Sequence, residues 1–193
     1  MERAGRTPGP ARRPARAIMR IIAGRWRGHR IQAPPGRHTR PTADRVREAW
    51  MSALMPLVPG ARALDLFAGS GALGLELLSR GAAHVTFVEI SEAALRVLRA
   101  NVQRLGAEEQ VRIVRADALK YVESLEPFAF DLALADPPYG KGLAAALVQR
   151  FAEKPFARWL WVEHGADEVL PSLPGARTRR YGDTGVTSIP ALA

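Results

Sequence analysis

The chain contains no cysteine. This excludes a disulfide scaffold, a Cys-ligated zinc or iron–sulfur centre and a thiol nucleophile, and it fits a reducing compartment. No run approaches the roughly 18 consecutive apolar residues that a transmembrane helix needs, and residues 1–20 carry no apolar stretch of the kind found in secretory signals. Aromatics are sparse, at 7% of the 193 residues. His29, His38, His84 and His164 are scattered without ligand spacing, so no metal site is expected. Acids are nearly missing from the first quarter: residues 1–47 hold 13 Arg against Glu2 and Asp44, a net of +11.

The rest of the chain is different. It holds 15 Lys+Arg and 17 Asp+Glu, a net of −2. A near-neutral body with a cationic leading quarter suits a polyanion gripped mostly at one end. Almost all the cations are arginine, which favours planar, bidentate contacts with phosphate. With 47% hydrophobic and 24% charged residues, the length fits one domain with an appendage, able to form its own core.

Residues 1–18 read as a disordered basic tail of Pro, Gly, Arg and Ala, with Met19 a second candidate start. Residues 19–59 read as a nucleic-acid-facing hairpin and helix. In the hairpin, Arg20, Arg25, Arg27 and Arg30 surround Trp26, which either stacks on a base or sits in the core. A Pro/Gly loop follows. Thr42 then reads as an N-cap with Asp44 in the first turn, and Val46, Trp50, Leu54 and Leu57 mark a helix ended by Pro56 and Pro59. Trp50, Trp159 and Trp161 read as core.

From residue 60 onward strands and helices alternate. Strands are expected at 63–67, 85–89, 111–114, 130–135 and 159–163, with helices at 72–79, 92–105, 118–124 and 143–151. A closing hairpin follows at 176–181 and 185–189. Repeated β–α units imply an α/β fold, with a mainly parallel sheet covered by helices on both faces.

The first repeated strand ends in Asp65-Leu66-Phe67-Ala68-Gly69-Ser70-Gly71. The glycines let backbone approach a ligand at the first βα turn, where open α/β sheets bind nucleotides. Neither the dinucleotide nor the ATP phosphate-loop frame is present. Asp65 would repel a pyrophosphate but attract a cationic, phosphate-free ligand such as S-adenosylmethionine. Glu89 ends the second strand, 18 residues after Gly71, and suits ribose hydroxyls. Asp117 follows the third strand and either receives an adenine amino group or caps a helix. Glu163 ends the fifth strand and either faces the pocket or, the preferred reading, is an ordinary strand-end acid.

The chemical motif is Asp136-Pro137-Pro138-Tyr139 after the fourth strand. Paired prolines stiffen the loop and remove N–H donors. A rigid carboxylate beside a free carbonyl, that of Pro137, makes a receptor for an amino group with two hydrogens, and Tyr139 can stack on its heterocycle. The combination suits methylation of an exocyclic NH₂.

Together these motifs resemble class I S-adenosylmethionine-dependent methyltransferases that modify amino groups. More narrowly, residues 19–189 resemble the RsmD family, bacterial 16S rRNA (guanine-N2) methyltransferases. The matching blocks are 20–28, Arg40-Pro41-Thr42-Ala43-Asp44-Arg45-Val46-Arg47-Glu48, 64–76, 79–82 and 136–139. The resemblance implies a Rossmann-like, seven-stranded fold. It implies Asp65, Phe67, Ala68, Gly69, Ser70, Gly71, Glu89 and Asp117 around the cofactor, and Asp136, Pro137 and Tyr139 at the chemistry. Arg40, Thr42, Arg45 and Arg47 join the hairpin arginines at RNA. The substrate is then an assembling small subunit and the enzyme a cytoplasmic monomer without a membrane partner. Relatives often carry Phe at the place of Tyr139, and an aromatic and Asn where this chain has Ala49-Trp50-Met51-Ser52. Competing readings are a DNA adenine-N6 or cytosine-N4 methyltransferase, which shares the receptor loop but needs a target-recognition domain, and an RNA-binding module with a vestigial Rossmann domain.

Overall fold

The computed structural model describes residues 18–33 and 41–192, apart from the side chains of 41–46. The expected tail up to residue 17 and the loop 34–40 lie outside the described residues; Ile18, counted with the tail, already belongs to the first strand.

Five strands run parallel: β3 (Arg62–Leu66), β4 (His84–Glu89), β5 (Val111–Arg115), β6 (Phe130–Ala135) and β7 (Ala157–Gly165). A hairpin of β8 (Arg177–Tyr181) and β9 (Thr184–Pro190) closes the sheet antiparallel to β7. The spatial order is β5-β4-β3-β6-β7-β9-β8. The chain builds outward from β3 to β5, then returns to lay β6 on the other side of β3. This reversal opens a crevice at the carboxyl ends of β3 and β6, the place where doubly wound sheets bind ligands.

Helices α2 (Ala72–Ser79) and α3 (Glu92–Leu105) cover one face, and α4 (Ala118–Glu123) and α5 (Leu143–Glu153) the other. Local signals explain the boundaries. Ser91 caps α3 by accepting the Ala94 N–H, and Gly106 ends it in the left-handed region at φ 61°. Two buried clusters result, one on each face. Phe87, Leu75 and Leu98 centre the first; Leu147, Phe151 and Phe156 centre the second, where the two phenylalanine rings meet edge to face at 5.3 Å.

The leading segment forms a two-stranded ribbon, β1 (Ile18–Arg20) against β2 (Arg30–Gln32), followed by α1 (Pro41–Leu54). It has no core of its own. Ile21, Trp26, Ile31, Trp50, Met51 and Leu54 join the cluster formed by α2 and α3. This covering explains why seven of the eight α2 residues are buried: the helix is sandwiched, so it is not amphipathic.

Three polar side chains fix the ribbon to the body. Glu76, 1% exposed, accepts the Ile22 and Ala23 N–H groups at 2.8 and 3.0 Å and the Arg80 guanidinium at 2.8 Å. Ser79 accepts from the Trp26 N–H at 3.0 Å and donates to the Ala23 carbonyl at 2.6 Å. Asn101 accepts the Gln32 N–H at 2.8 Å and donates to the Gln32 and Ser70 carbonyls at 2.9 and 3.0 Å. Gly24 permits this approach, because a Cβ there would lie 1.8 Å from the Ser79 carbonyl oxygen.

The ribbon corrects one expectation and the helix two. Trp26 is 9% exposed and packed in the core, with the Arg25 guanidinium 3.9 Å over its ring, so it is no open platform for a base. Arg47 is 7% exposed and donates to the Arg20 carbonyl at 3.2 Å; it braces the ribbon. Helix α1 begins at Pro41, whose missing N–H is harmless in a first turn, so Thr42 lies inside the helix and is not its N-cap.

Candidate active site

The turn after β3 is tight and strained. Phe67 has φ 57°, unusual for a bulky residue and costing about 1–3 kcal/mol. Ala68 donates to Val88 at 3.1 Å, and Gly71 donates back to Ala68 at 2.7 Å. Gly71 sits at φ 79°, where a Cβ would lie 2.3 Å from the Leu98 side chain. The strain fixes the turn at the carboxyl end of β3, where residues 68–71 are buried.

Two acids, Asp65 and Glu89, bond to backbone at this turn, a third, Asp117, stands two strands away after β5, and each supports structure. Asp65, 1% exposed, accepts the Gly74 N–H at 2.9 Å and so pins the start of α2. Glu89 accepts the Gly69 N–H at 2.8 Å through one oxygen and the Ser91 N–H at 2.7 Å through the other. Asp117 caps α4 by accepting the Lys120 N–H at 3.0 Å. A carboxylate oxygen can accept twice, so these bonds fix the acids without exhausting them. Ser70 is buried, with its hydroxyl 4.0 Å from the Met19 sulfur, which brings β1 beside the turn. Carboxylate acceptors beside a backbone turn fit a ligand that carries ammonium, sulfonium and ribose hydroxyls. They do not fit a nucleoside polyphosphate.

Asp136 follows β6, next to β3. Leu66 and Ala135 are register partners, so the receptor loop leaves the sheet beside the strained turn. Asp136 is half-buried, Pro137 buried and Tyr139 45% exposed. The Tyr139 hydroxyl makes a short hydrogen bond to the Glu163 carboxylate and lies 3.2 Å from the Thr184 hydroxyl. Burial first, then the bond to Glu163 and the negative charges of Glu163 and Asp136, push its pKa far above the ordinary phenol value against the opposing pull of Thr184. The phenol therefore stays protonated and acts as a donor. Beyond Tyr139 the surface opens into a cleft of about 530 Å³ lined partly by Gly140, Gly142, Asp167 and Asp183. Asp167 on its rim is paired with Arg180 of β8, and a further group of cations stands on the ribbon.

There, Arg20, Arg25, Arg27 and Arg30 are exposed. Arg25 is partly engaged, by the Trp26 ring and by Gln110. Arg40 lies outside the described residues, as do the side chains of Thr42 and Arg45. Glu163 and the clasp residues Glu76 and Asn101 are the ones sequence reasoning did not favour. Glu76 did leave a signal, as the lone acid in an otherwise apolar helix.

Residues 19–189 match the model of the family described as Conserved hypothetical protein 95. The chain belongs to this family. The match spans the residues over which the chain resembles the RsmD family. Over 162 residues the chain is 36% identical to the ribosomal RNA small subunit methyltransferase D of Escherichia coli K12, covering 81% of this chain and 79% of that one. A solved Escherichia coli chain, YhhF, superposes with a TM-score of 0.79 at 32% identity, over 92% of this chain and 99% of that one. RsmC of Thermus thermophilus, a 16S rRNA N2 methyltransferase solved with AdoMet and guanosine, superposes with a TM-score of 0.69 at 20% identity, over 92% of this chain and 50% of that one. The last likeness carries the fold, which is that of the Rossmann-like class I methyltransferases.

Proposed function

We propose that the protein transfers a methyl group from S-adenosylmethionine to the exocyclic N2 of a guanine in 16S rRNA, on small subunits and in the bacterial cytoplasm, acting as a monomer. The observation that carries this reading is the register of β3 with β6, which sets the Asp136–Tyr139 receptor beside the strained, acid-lined turn.

Asp65, Phe67, Ala68, Gly69, Ser70, Gly71, Glu89 and Asp117 would hold the cofactor, which when bound supplies an electrophilic methyl group. The chain's own contribution is positioning and hydrogen bonding. Asp136 and the Pro137 carbonyl accept the two amino hydrogens, drawing the nitrogen lone pair out of conjugation and toward the methyl donor. As the N–C bond forms, the S–CH₃ bond of the bound cofactor would break and leave a neutral thioether, and the now cationic nitrogen would lose its proton to Asp136 or water. Tyr139, kept protonated, covers the base, which must first leave its stack at a cost of a few kcal/mol. Arg20, Arg25, Arg27, Arg30, Arg40, Thr42 and Arg45 serve the RNA backbone. Trp26 and Arg47 serve it only by holding the ribbon.

The test is methyl transfer from labelled cofactor to unmethylated small subunits. Wild type should label 16S rRNA, and Asp136→Ala should lose about 10²–10³-fold in rate, the magnitude of losing one preorganised polar contact at a reacting group. Full activity in that variant would overturn the assigned role.

A further inference from the structure

Beyond Asp136, the crevice contains a second carboxylate that the mechanism above does not use. Ala135 and Val162 are register partners in the parallel pair β6–β7. One step further along both chains stand Asp136 and Glu163. Asp136 lies one residue past the end of β6 and Glu163 lies inside β7, one residue past the last registered pair; neighbouring strands run about 5 Å apart, so the two acids leave adjacent chains at the carboxyl end of the sheet. Their common neighbour confirms it: the Tyr139 hydroxyl donates to Glu163 and feels the charge of both acids.

We infer that Glu163 is a specificity residue that reads the ring N1–H of guanine while Asp136 holds the N2 amino group. The inference rests on the reading given under Proposed function. Its basis is the edge chemistry of the bases. Guanine presents two adjacent donor groups, N1–H and N2–H₂, which match two adjacent carboxylates. Adenine and cytosine present an amino group beside an unprotonated ring nitrogen. Against Glu163 that nitrogen would leave two acceptors facing each other, an unpaired arrangement that is strongly disfavoured in a partly dry site. In the structure the Tyr139 hydroxyl supplies a donor to Glu163, the role the N1–H takes over when a base enters. The same pair of acids accounts for choosing guanine over the adenine-N6 and cytosine-N4 targets that an Asp-Pro-Pro-Tyr loop alone would also accept.

The experiment compares two small subunits: one with the natural target guanine, the other with 2-aminopurine there. The analogue keeps the N2 amine but turns N1 into an acceptor. Wild type should favour guanine. Glu163→Gln, whose amide can donate to that acceptor, should shrink the guanine/2-aminopurine ratio of kcat/KM by roughly 10- to 100-fold, the discrimination value of one well-made base-edge contact. Tyr139→Phe removes the hydroxyl and leaves Glu163 in place, so it should keep the ratio. S-adenosylmethionine affinity, read by calorimetry, should be unchanged in both variants. If Glu163→Gln fails to fold, Glu163→Ala takes its place and should also lower the ratio, by loss on guanine without gain on the analogue. An unchanged ratio in the Glu163 variants would overturn the inference, as would an equal collapse in Tyr139→Phe. If wild type methylates neither subunit, the functional reading itself fails.

Discussion

Two parts of this molecule are held by polar side chains, the ribbon against α2 and α3 and the receptor loop against β7 and β9, and they are held differently. The ribbon is clasped by Glu76, Ser79 and Asn101, which are 1%, 4% and 0% exposed and bond mainly to backbone. At the receptor loop the Tyr139 hydroxyl forms a latch to Glu163, on a side chain 45% exposed. Buried bonds to backbone are costly to open, because each leaves a dry polar group behind. An exposed hydroxyl exchanges its partner for water or substrate at little cost. The arginine-bearing ribbon is therefore a fixed platform built into the cofactor face, whereas the receptor loop can release its latch to admit a base.

The largest effect that would sharpen this contrast is chemical. Asp136→Ala should abolish most turnover, by about 10²–10³-fold, while binding S-adenosylmethionine within a few-fold of wild type by calorimetry; parallel loss of cofactor binding would mean that Asp136 belongs to the cofactor side. Next comes the clasp. Glu76→Ala strips the partner from the buried Arg80 and from two N–H groups, and should destabilise the fold by about 3–5 kcal/mol in urea unfolding. A loss below about 1 kcal/mol would break the distinction between clasp and latch. On the RNA side, Arg27→Ala should weaken subunit binding several-fold and reduce the slope of log K against log salt by about 1, the signature of one phosphate contact. The smallest effects belong to the latch. Tyr139→Phe should change stability by less than about 1 kcal/mol, as expected of a partly exposed bond. Because the folded-state pKa of Tyr139 is raised, the protonated form contributes its stability fully below the unfolded value and loses it only as pH climbs toward the higher folded one. Absorbance titrations of wild type and Tyr139→Phe at 295 nm should thus superimpose up to pH ~10, where an ordinary phenol would be half ionised.

Much of this was legible in the chain itself, for physical reasons. Helices 72–79 and 92–105 have the expected limits because Gly71, Ser91 and Gly106 mark them with local chemistry. The cofactor turn and the receptor loop were legible because glycine and paired prolines constrain backbone wherever they stand. Burial was less so. Charge alone could not say that Arg47 points inward while Arg27 points out, nor that Trp26 would be covered, since α2 and α3 supply the cover from elsewhere in the chain. Thr42 stands two residues past the cap position of a helix that begins at Pro41, where a Thr/Asp pair carries the same local signal. Glu163 read by preference as a strand end because its meaning depends on register: only the pairing of β6 with β7 sets it beside Asp136, 27 positions away.

The most direct test of the central assignment is mass mapping of 16S rRNA digests from cells lacking this gene, complemented with wild type or with Asp136→Ala. One N2-methylguanine should vanish in the deletion, return with wild type and stay absent with the variant. An unchanged set of methylguanines in the deletion strain would contradict the assignment.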